Sequence, residues 1–230
     1  MIRNLDLDKA LVILEAGCGR GQLTVPFAKK LKQTKKDMRF VAFDISAGPY
    51  QDALDTLKER IREERLESLI VPVKGDVRDM KAVHDESIDL IISNELFCDL
   101  DEKGLEMVLE EFHRILKPGG QMAHGELNPF PENEAQKLLI EADGYSLETL
   151  EPKPTWFSPF SDEVAMLMRR IGFRSIVVRY FETNVRMDCD TAIRKLKDWG
   201  TDPAFVERHL DDLRRYGLEF PTEHVIFCQK

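Results

Sequence analysis

Long apolar runs are missing from this 230-residue sequence, and none reaches the ~18 residues that a membrane-crossing helix needs. No membrane partner is therefore expected. A secretory leader is missing too: the apolar run Ala10–Leu14 is too short, and Asp6, Asp8 and Lys9 stand directly before it. Cysteines are few and scattered. Cys18, Cys98, Cys189 and Cys228 form no C-x-x-C pair, which argues against a disulfide framework or a zinc site. They read as reduced thiols of a cytoplasmic protein with no metal. Positive charge is also short, with a net charge of −9. A phosphate-rich partner wants clustered Lys and Arg, so no nucleic-acid partner is expected. Repeats and low-complexity tracts are lacking as well.

What the sequence does contain is an alternation of short β-rich runs and longer helical patterns. Residues are 43% hydrophobic and 33% charged, as in an ordinary globular chain. The length suits one domain over 1–230. Strands are predicted at Ala10–Glu15, Arg39–Asp44, Leu69–Lys74, Ile88–Ser93 and Gly120–Glu126. The first, second and fourth are almost wholly apolar, as strands covered on both faces should be. Helical stripes run through Leu23, Phe27 and Leu31, and through Leu105, Val108, Leu109, Phe112 and Leu116. Pro26 requires the first of these helices to begin late. In the last third, a helix opens at Ser161 and closes at Gly172, and strands follow at Ser175–Phe181 and His224–Cys228. Two helices are expected between them: Ala192, Ile193, Leu196 and Trp199 form the first stripe, with Trp199 in the core, and Pro203–Tyr216 the second. In open parallel sheets, ligands bind beyond the carboxyl ends of the strands. The segments 127–160 and 182–220 leave from that end, so they are expected to select the substrate.

The stretch from Val12 to Gly21, VILEAGCGRG, is a strand that runs into a glycine-rich turn opening a helix. Glycines there let the backbone turn tightly and approach a ligand closely. Asp44 ends the second predicted strand, where an acid can bind both hydroxyls of a ribose. Asp76 follows the third, placed to accept a hydrogen bond from an adenine amino group. Together they outline an adenosine site. The spacing is G-x-G-x-G, not the G-x-G-x-x-G of dinucleotide binders.

On these motifs the chain resembles the class I S-adenosylmethionine-dependent methyltransferases. EAGCGRG resembles the family's first motif, AFDIS the second, GDVRD the third, IDLIISNELF the fourth, and FHRILKPGGQM the passage into strand five. The resemblance spans about residues 10–126 and resumes near 161. It implies an α/β, Rossmann-like seven-stranded mixed sheet of order 3-2-1-4-5-7-6, with strand 7 antiparallel and helices on both faces. It implies S-adenosyl-L-methionine as cofactor, with Glu15, Gly17, Cys18, Gly19 and Gly21 beside its methionine and ribose. Asp44 and Ile45 would then lie at the ribose, Asp76 and Val77 at the adenine, and Asn94 and Glu95 near the reacting methyl. Two departures stand out. The chain begins only about ten residues before the first motif, and two helices replace the family's usual hairpin between strands six and seven. A lid would then come from these helices, from 127–160, or from the partner subunit of a homodimer.

A sulfonium is already an excellent methyl donor, so the protein mainly aligns a nucleophile and excludes water. If that nucleophile carries a proton, a base is needed, and the candidates are Glu95, His124 and Glu126. Trp156 and Phe157, flanked by Pro152, Pro154 and Pro159, are candidates to wall a substrate pocket. Cys18 and Cys98 read as packing residues. The acids Glu95, Asp99 and Glu126 suit a cationic acceptor, including an arginine or lysine side chain as in protein N-methyltransferases. A protein that holds the cofactor without chemistry is a further reading. A nicotinamide oxidoreductase is disfavoured by the glycine spacing and the LKPGG passage. The acceptor, small molecule or protein, is not identified by the sequence.

Overall fold

Apolar strand runs and period-3.6 helical stripes alternate along the chain, and the helices that follow β1, β2 and β4 each lead to a parallel neighbour of the strand before. A computed structural model describes residues 5, 7, 12–33, 38–143 and 160–230. In chain order the first part comprises β1 (Val12–Ala16), α1 (Thr24–Lys32), β2 (Arg39–Asp44), α2 (Ala53–Glu63), β3 (Ile70–Lys74), β4 (Ile88–Asn94), α3 (Glu102–Ile115) and β5 (Leu116–Leu127). Then come α4 (Glu134–Asp143), α5 (Ser161–Ile171), β6 (Arg174–Phe181), β7 (Arg186–Met187), α6 (Cys189–Asp198), α7 (Pro203–Arg208), α8 (Leu210–Tyr216), β8 (Leu218–Glu219) and β9 (Glu223–Gln229). The sheet order is β3-β2-β1-β4-β5-β9-β6. Within this sheet only β9 runs against its neighbours, pairing antiparallel with both β5 and β6. Counting the seven strands of this sheet in chain order gives 3-2-1-4-5-7-6, as the resemblance implies.

Two apolar layers clamp the sheet. One face carries Leu14, Ile91, Met122 and Ile226 under the stripe of α3 (Leu105, Val108, Leu109, Phe112) and the inner side of α5 (Val164, Met168). The other carries Ile13, Phe40, Ala42 and Leu90 under Phe27 and Leu31 of α1 and Leu57 and Ile61 of α2. Burying each such side chain stabilises the fold by about 1.5–3 kcal/mol, and this fixes the register because a one-residue slip would expose a whole face. Asp101 caps α3 by accepting the Gly104 N–H at 2.7 Å. Pro26 sits in the first turn of α1, where a missing N–H does no harm.

Several local expectations are corrected. β5 starts at Leu116, four residues before the predicted Gly120, so Leu116 belongs to the strand and Ile115 ends the helix stripe. The predicted helix Pro203–Tyr216 is two helices, broken at His209 (φ −106°, ψ 15°). Asp202 caps the first of them through the Ala204 N–H. Trp199 is 38% exposed: it stands at the end of α6, edge-on to Phe220 with Lys195 over its ring, so it covers the core's rim and does not fill it. Helix α4 and the β7–β8 ribbon were not anticipated.

β5 and β6 end, and β9 begins, at one edge of the sheet, with Leu127 and Phe181 both opposite Glu223. The segments 128–143 and 182–222 therefore rise from that edge. They form a cap with its own core, in which Leu138 and Leu139 of α4 join Ala192, Leu196, Phe205, Leu213 and Leu218.

Candidate functional site

The carboxyl ends of β1, β2 and β4 meet at the same edge, and the glycine loop crosses above them. β1 carries Glu15 at its penultimate position, and the chain then turns through Gly17 (φ 69°), Gly19 (φ 49°) and Gly21 (φ 78°). The demands differ along the loop. A Cβ on Gly21 would lie 2.4 Å from Leu57 Cδ1, so this glycine lets the loop close on α2. A Cβ on Gly19 would meet nothing within 4 Å, so this glycine faces open space, where a ligand can approach the backbone.

Asp44 ties the loop to β2. Its two oxygens accept the Gly19 N–H at 2.8 Å and the Ser46 N–H at 2.7 Å. Each oxygen keeps a further lone pair for a hydroxyl, so the geometry suits a ribose diol. Ile45 follows as an exposed apolar side chain beside it. Glu15 is buried, and the Thr24 hydroxyl donates to its Oε2 at 2.6 Å. Burial raises its carboxyl to about 8; the Asp44 charge adds to this and the Thr24 bond opposes it. Cys18 is buried in the loop, and burial pushes its thiol well above the usual range. Beside a cationic group such as an ammonium or a sulfonium, the buried Glu15 carboxyl would ionise more readily.

Asp76 sits after β3 as the sequence indicates, but both of its oxygens are engaged by Arg78. The guanidinium donates from Nη2 to Oδ2 at 2.7 Å and from Nε to Oδ1 at 3.0 Å, and the Arg78 backbone N–H donates to Oδ1 at 2.8 Å. The side-chain bond from Arg78 holds this carboxyl below the usual range. Val77 beside it is buried. Gly75, overlooked in the sequence, lets β3 pass Phe43: a Cβ there would lie 2.4 Å from the ring.

β4 delivers Asn94 and Glu95 to the same edge. A single 3-10 turn follows over Phe97–Asp99. Tyr50 stands near it, half-exposed, and partial burial together with the charges of Asp99, Cys98 and Glu95 raises its phenol above the ordinary value. Arg20 lies over the Tyr50 ring at 5.7 Å and is forked onto Asp52. His124 and Glu126 lie on the face of β5 behind this turn, 0% and 3% exposed, with Phe97 stacked on the imidazole. His224 stands opposite Glu126 on β9, and burial, with His124 adding, pushes its imidazole down to about 4. Thus Glu15, the three glycines, Asp44 and Glu95 converge on one edge, with His124 and Glu126 beneath it. Tyr50, Thr24, Ser93 and His224 were not singled out in the sequence. Only the periodicity of β9, which puts His224 on the face of Glu126, carried a signal. Trp156, Phe157 and the prolines around them lie outside the described residues. Among the described residues no cluster of ligating side chains suits a metal ion, and no helix is long and apolar enough to cross a membrane.

Comparison with known proteins agrees with this geometry. Residues 13–120 match the family model described as a methyltransferase domain. The chain is 30% identical over 192 residues to a malonyl-[acyl-carrier protein] O-methyltransferase of Priestia megaterium, covering 76% of this chain and 63% of that protein. It is 25% identical over 141 residues to a carboxy-S-adenosyl-L-methionine synthase of Shewanella sediminis, covering 58% and 54%. The chain thus spans between 40% and 63% of the length of the curated relatives it matches. Among solved structures, an S-adenosylmethionine-dependent methyltransferase from Archaeoglobus fulgidus superposes with a TM-score of 0.57 at 18% identity, over 96% of this chain and 87% of that one. The glycine loop, the acid at the end of β2, the reversed last strand and the methyltransferase-domain match over residues 13–120 agree with one another and with the class I S-adenosylmethionine-dependent methyltransferases that the chain resembles.

Proposed function

We propose that the protein transfers a methyl group from S-adenosylmethionine to an acceptor held between the Glu95–Asp99 turn and the cap. The observation that carries this is the glycine loop: Gly19 opens to space while its N–H is fixed on the Asp44 carboxylate. Glu15, Gly17, Cys18, Gly19 and Gly21 would hold the methionine and ribose, Asp44 and Ile45 the ribose and adenine edge, Val77 and Asp76 the adenine, and Asn94 with Glu95 the methyl end. Bound there, the cofactor supplies a methyl on a sulfonium, already activated for displacement. The chain's own task is positioning and water exclusion, which can contribute about 7–11 kcal/mol through orientation alone. The cap segments 128–143 and 182–222 stand where they can cover the acceptor and choose it.

The acceptor class divides into two readings. The name of the Priestia relative points to a carboxyl oxygen. The acids Glu95 and Asp99 around Tyr50 point instead to a cationic amine, because a carboxylate acceptor would be repelled there. We favour the amine, free or in a protein side chain. Its ammonium is attracted by the two carboxylates and must lose a proton before it can attack. The experiment is incubation of the protein with methyl-labelled S-adenosylmethionine and fractionated cell extract, followed by separation of labelled protein from labelled small molecules. Label in amine-containing products supports the reading. Donor binding without any transfer would favour a non-catalytic cofactor-binding protein.

A further inference from the structure

The turn after β4 is held from behind, by two side chains that do not open onto the cleft. Glu95 has φ 47°, in the left-handed region that a side chain disfavours, so something must hold it there. Two hydrogen bonds do so. The Glu95 N–H donates to the Gly125 carbonyl at 2.9 Å, and the Cys98 N–H donates to Glu126 Oε2 at 3.2 Å. Phe97, between these ties, lies flat on His124 with centroids 3.5 Å apart and planes 24° apart. His124 is itself fixed: its Nδ1 is 2.8 Å from Ser93 Oγ. Its Nε2 lies 3.3 Å from Glu126 Oε2, within ion-pair range but outside hydrogen-bond geometry, so it contacts the carboxylate without a bond of its own.

A general base must come within hydrogen-bond reach of the proton it takes. Glu126 and His124 lie buried under Phe97 and the turn, where Glu126 Oε2 accepts the Cys98 N–H and His124 Nδ1 is bonded to Ser93 Oγ. We propose that Glu126, propped by His124 and Ser93, is a positioning residue that sets the Glu95–Asp99 turn against the methyl donor. This rests on reading the site as that of a methyltransferase. It assigns the catalytic contact to the turn and its rigidity to β5. A displacement of about 1 Å in such a turn can slow a transfer about a hundredfold.

The comparison of Glu126→Gln with Glu126→Ala tests this. The amide keeps an oxygen for the Cys98 N–H but is no base; alanine removes both functions. The probe of the turn is iodoacetamide alkylation of Cys98, resolved from Cys189 by peptide mapping, with S-adenosylhomocysteine present. Its affinity is measured by calorimetry, folding by thermal melting, and transfer by labelled donor with cell extract. We expect Glu126→Ala to alkylate about tenfold faster, the factor that about 1.4 kcal/mol of lost tie corresponds to. It should also lose at least about tenfold in transfer while binding S-adenosylhomocysteine like the wild type. Glu126→Gln should restore both readouts. A Glu126→Gln variant as inactive as Glu126→Ala, with wild-type alkylation, would overturn the proposal and make Glu126 a base. Wild-type behaviour of both variants would overturn it as well. Failure of the wild type to bind S-adenosylhomocysteine would instead refute the functional reading, and the alkylation comparison would still decide whether Glu126 holds the turn.

Discussion

Replacing Glu15 with glutamine should make the protein more stable and worse at binding its cofactor, and the size of the first effect follows from one buried carboxyl. Glu15 is 3% exposed, and burial raises it from 4.5 to about 8. Between those values the folded state holds a proton that the unfolded state has released, so stability falls as pH rises through this window. Each pH unit in the window corresponds to about 1.4 kcal/mol for one proton. The penalty is therefore absent below about pH 4.5, reaches about 3 kcal/mol at pH 7, and levels near 5 kcal/mol above pH 8. The amide introduced by Glu15→Gln keeps an oxygen for the Thr24 hydroxyl and cannot ionise. Urea unfolding at pH 5, 6, 7 and 8 should show Glu15→Gln gaining on the wild type steadily with pH. At the same time its affinity for S-adenosylmethionine should fall, because a positively charged ligand favours an ionised carboxylate, which the amide cannot supply. Such opposition of stability and function is common in binding sites. Parallel pH profiles for the two proteins would refute the reasoning.

Other perturbations separate the cofactor loop from the scaffold. Asp44→Ala should weaken S-adenosylmethionine by about 1–3 kcal/mol, read by calorimetry, because it removes the anchor of the Gly19 N–H and the ribose acid together. Gly21→Ala should destabilise the fold by about 1–3 kcal/mol in urea, since its Cβ would press on Leu57 at φ 78°. Leu109→Ala, wholly buried in α3, should cost about 2–5 kcal/mol of stability and leave cofactor affinity unchanged.

The parts of this molecule that sequence reveals are those governed by a single local rule. Apolar strands covered on both faces show as unbroken runs, and β1, β2 and β4 lie where those runs lie. The glycine loop is visible because φ above zero at three alternating positions leaves little choice of residue. What sequence hides depends on which residues meet in space. The run Pro203–Tyr216 has helical periodicity throughout, yet it breaks at His209, with Phe205 before the break and Leu213 after it both in the cap's core. Trp199 has core periodicity, but its helix ends there. Asp76 is where an adenine acid belongs, while its engagement by Arg78 two residues on depends on side-chain conformation. The stack of Phe97 on His124 joins two segments through the register of β4 and β5, which no local pattern records.

The central claim is that the Gly17–Gly21 loop and Asp44 form a site for S-adenosylmethionine. Calorimetric titration with S-adenosylmethionine and, in parallel, with NADH tests it most directly. The account predicts saturable binding of S-adenosylmethionine that Asp44→Ala weakens, and no binding of NADH. Tight binding of NADH, with none of S-adenosylmethionine, would contradict it.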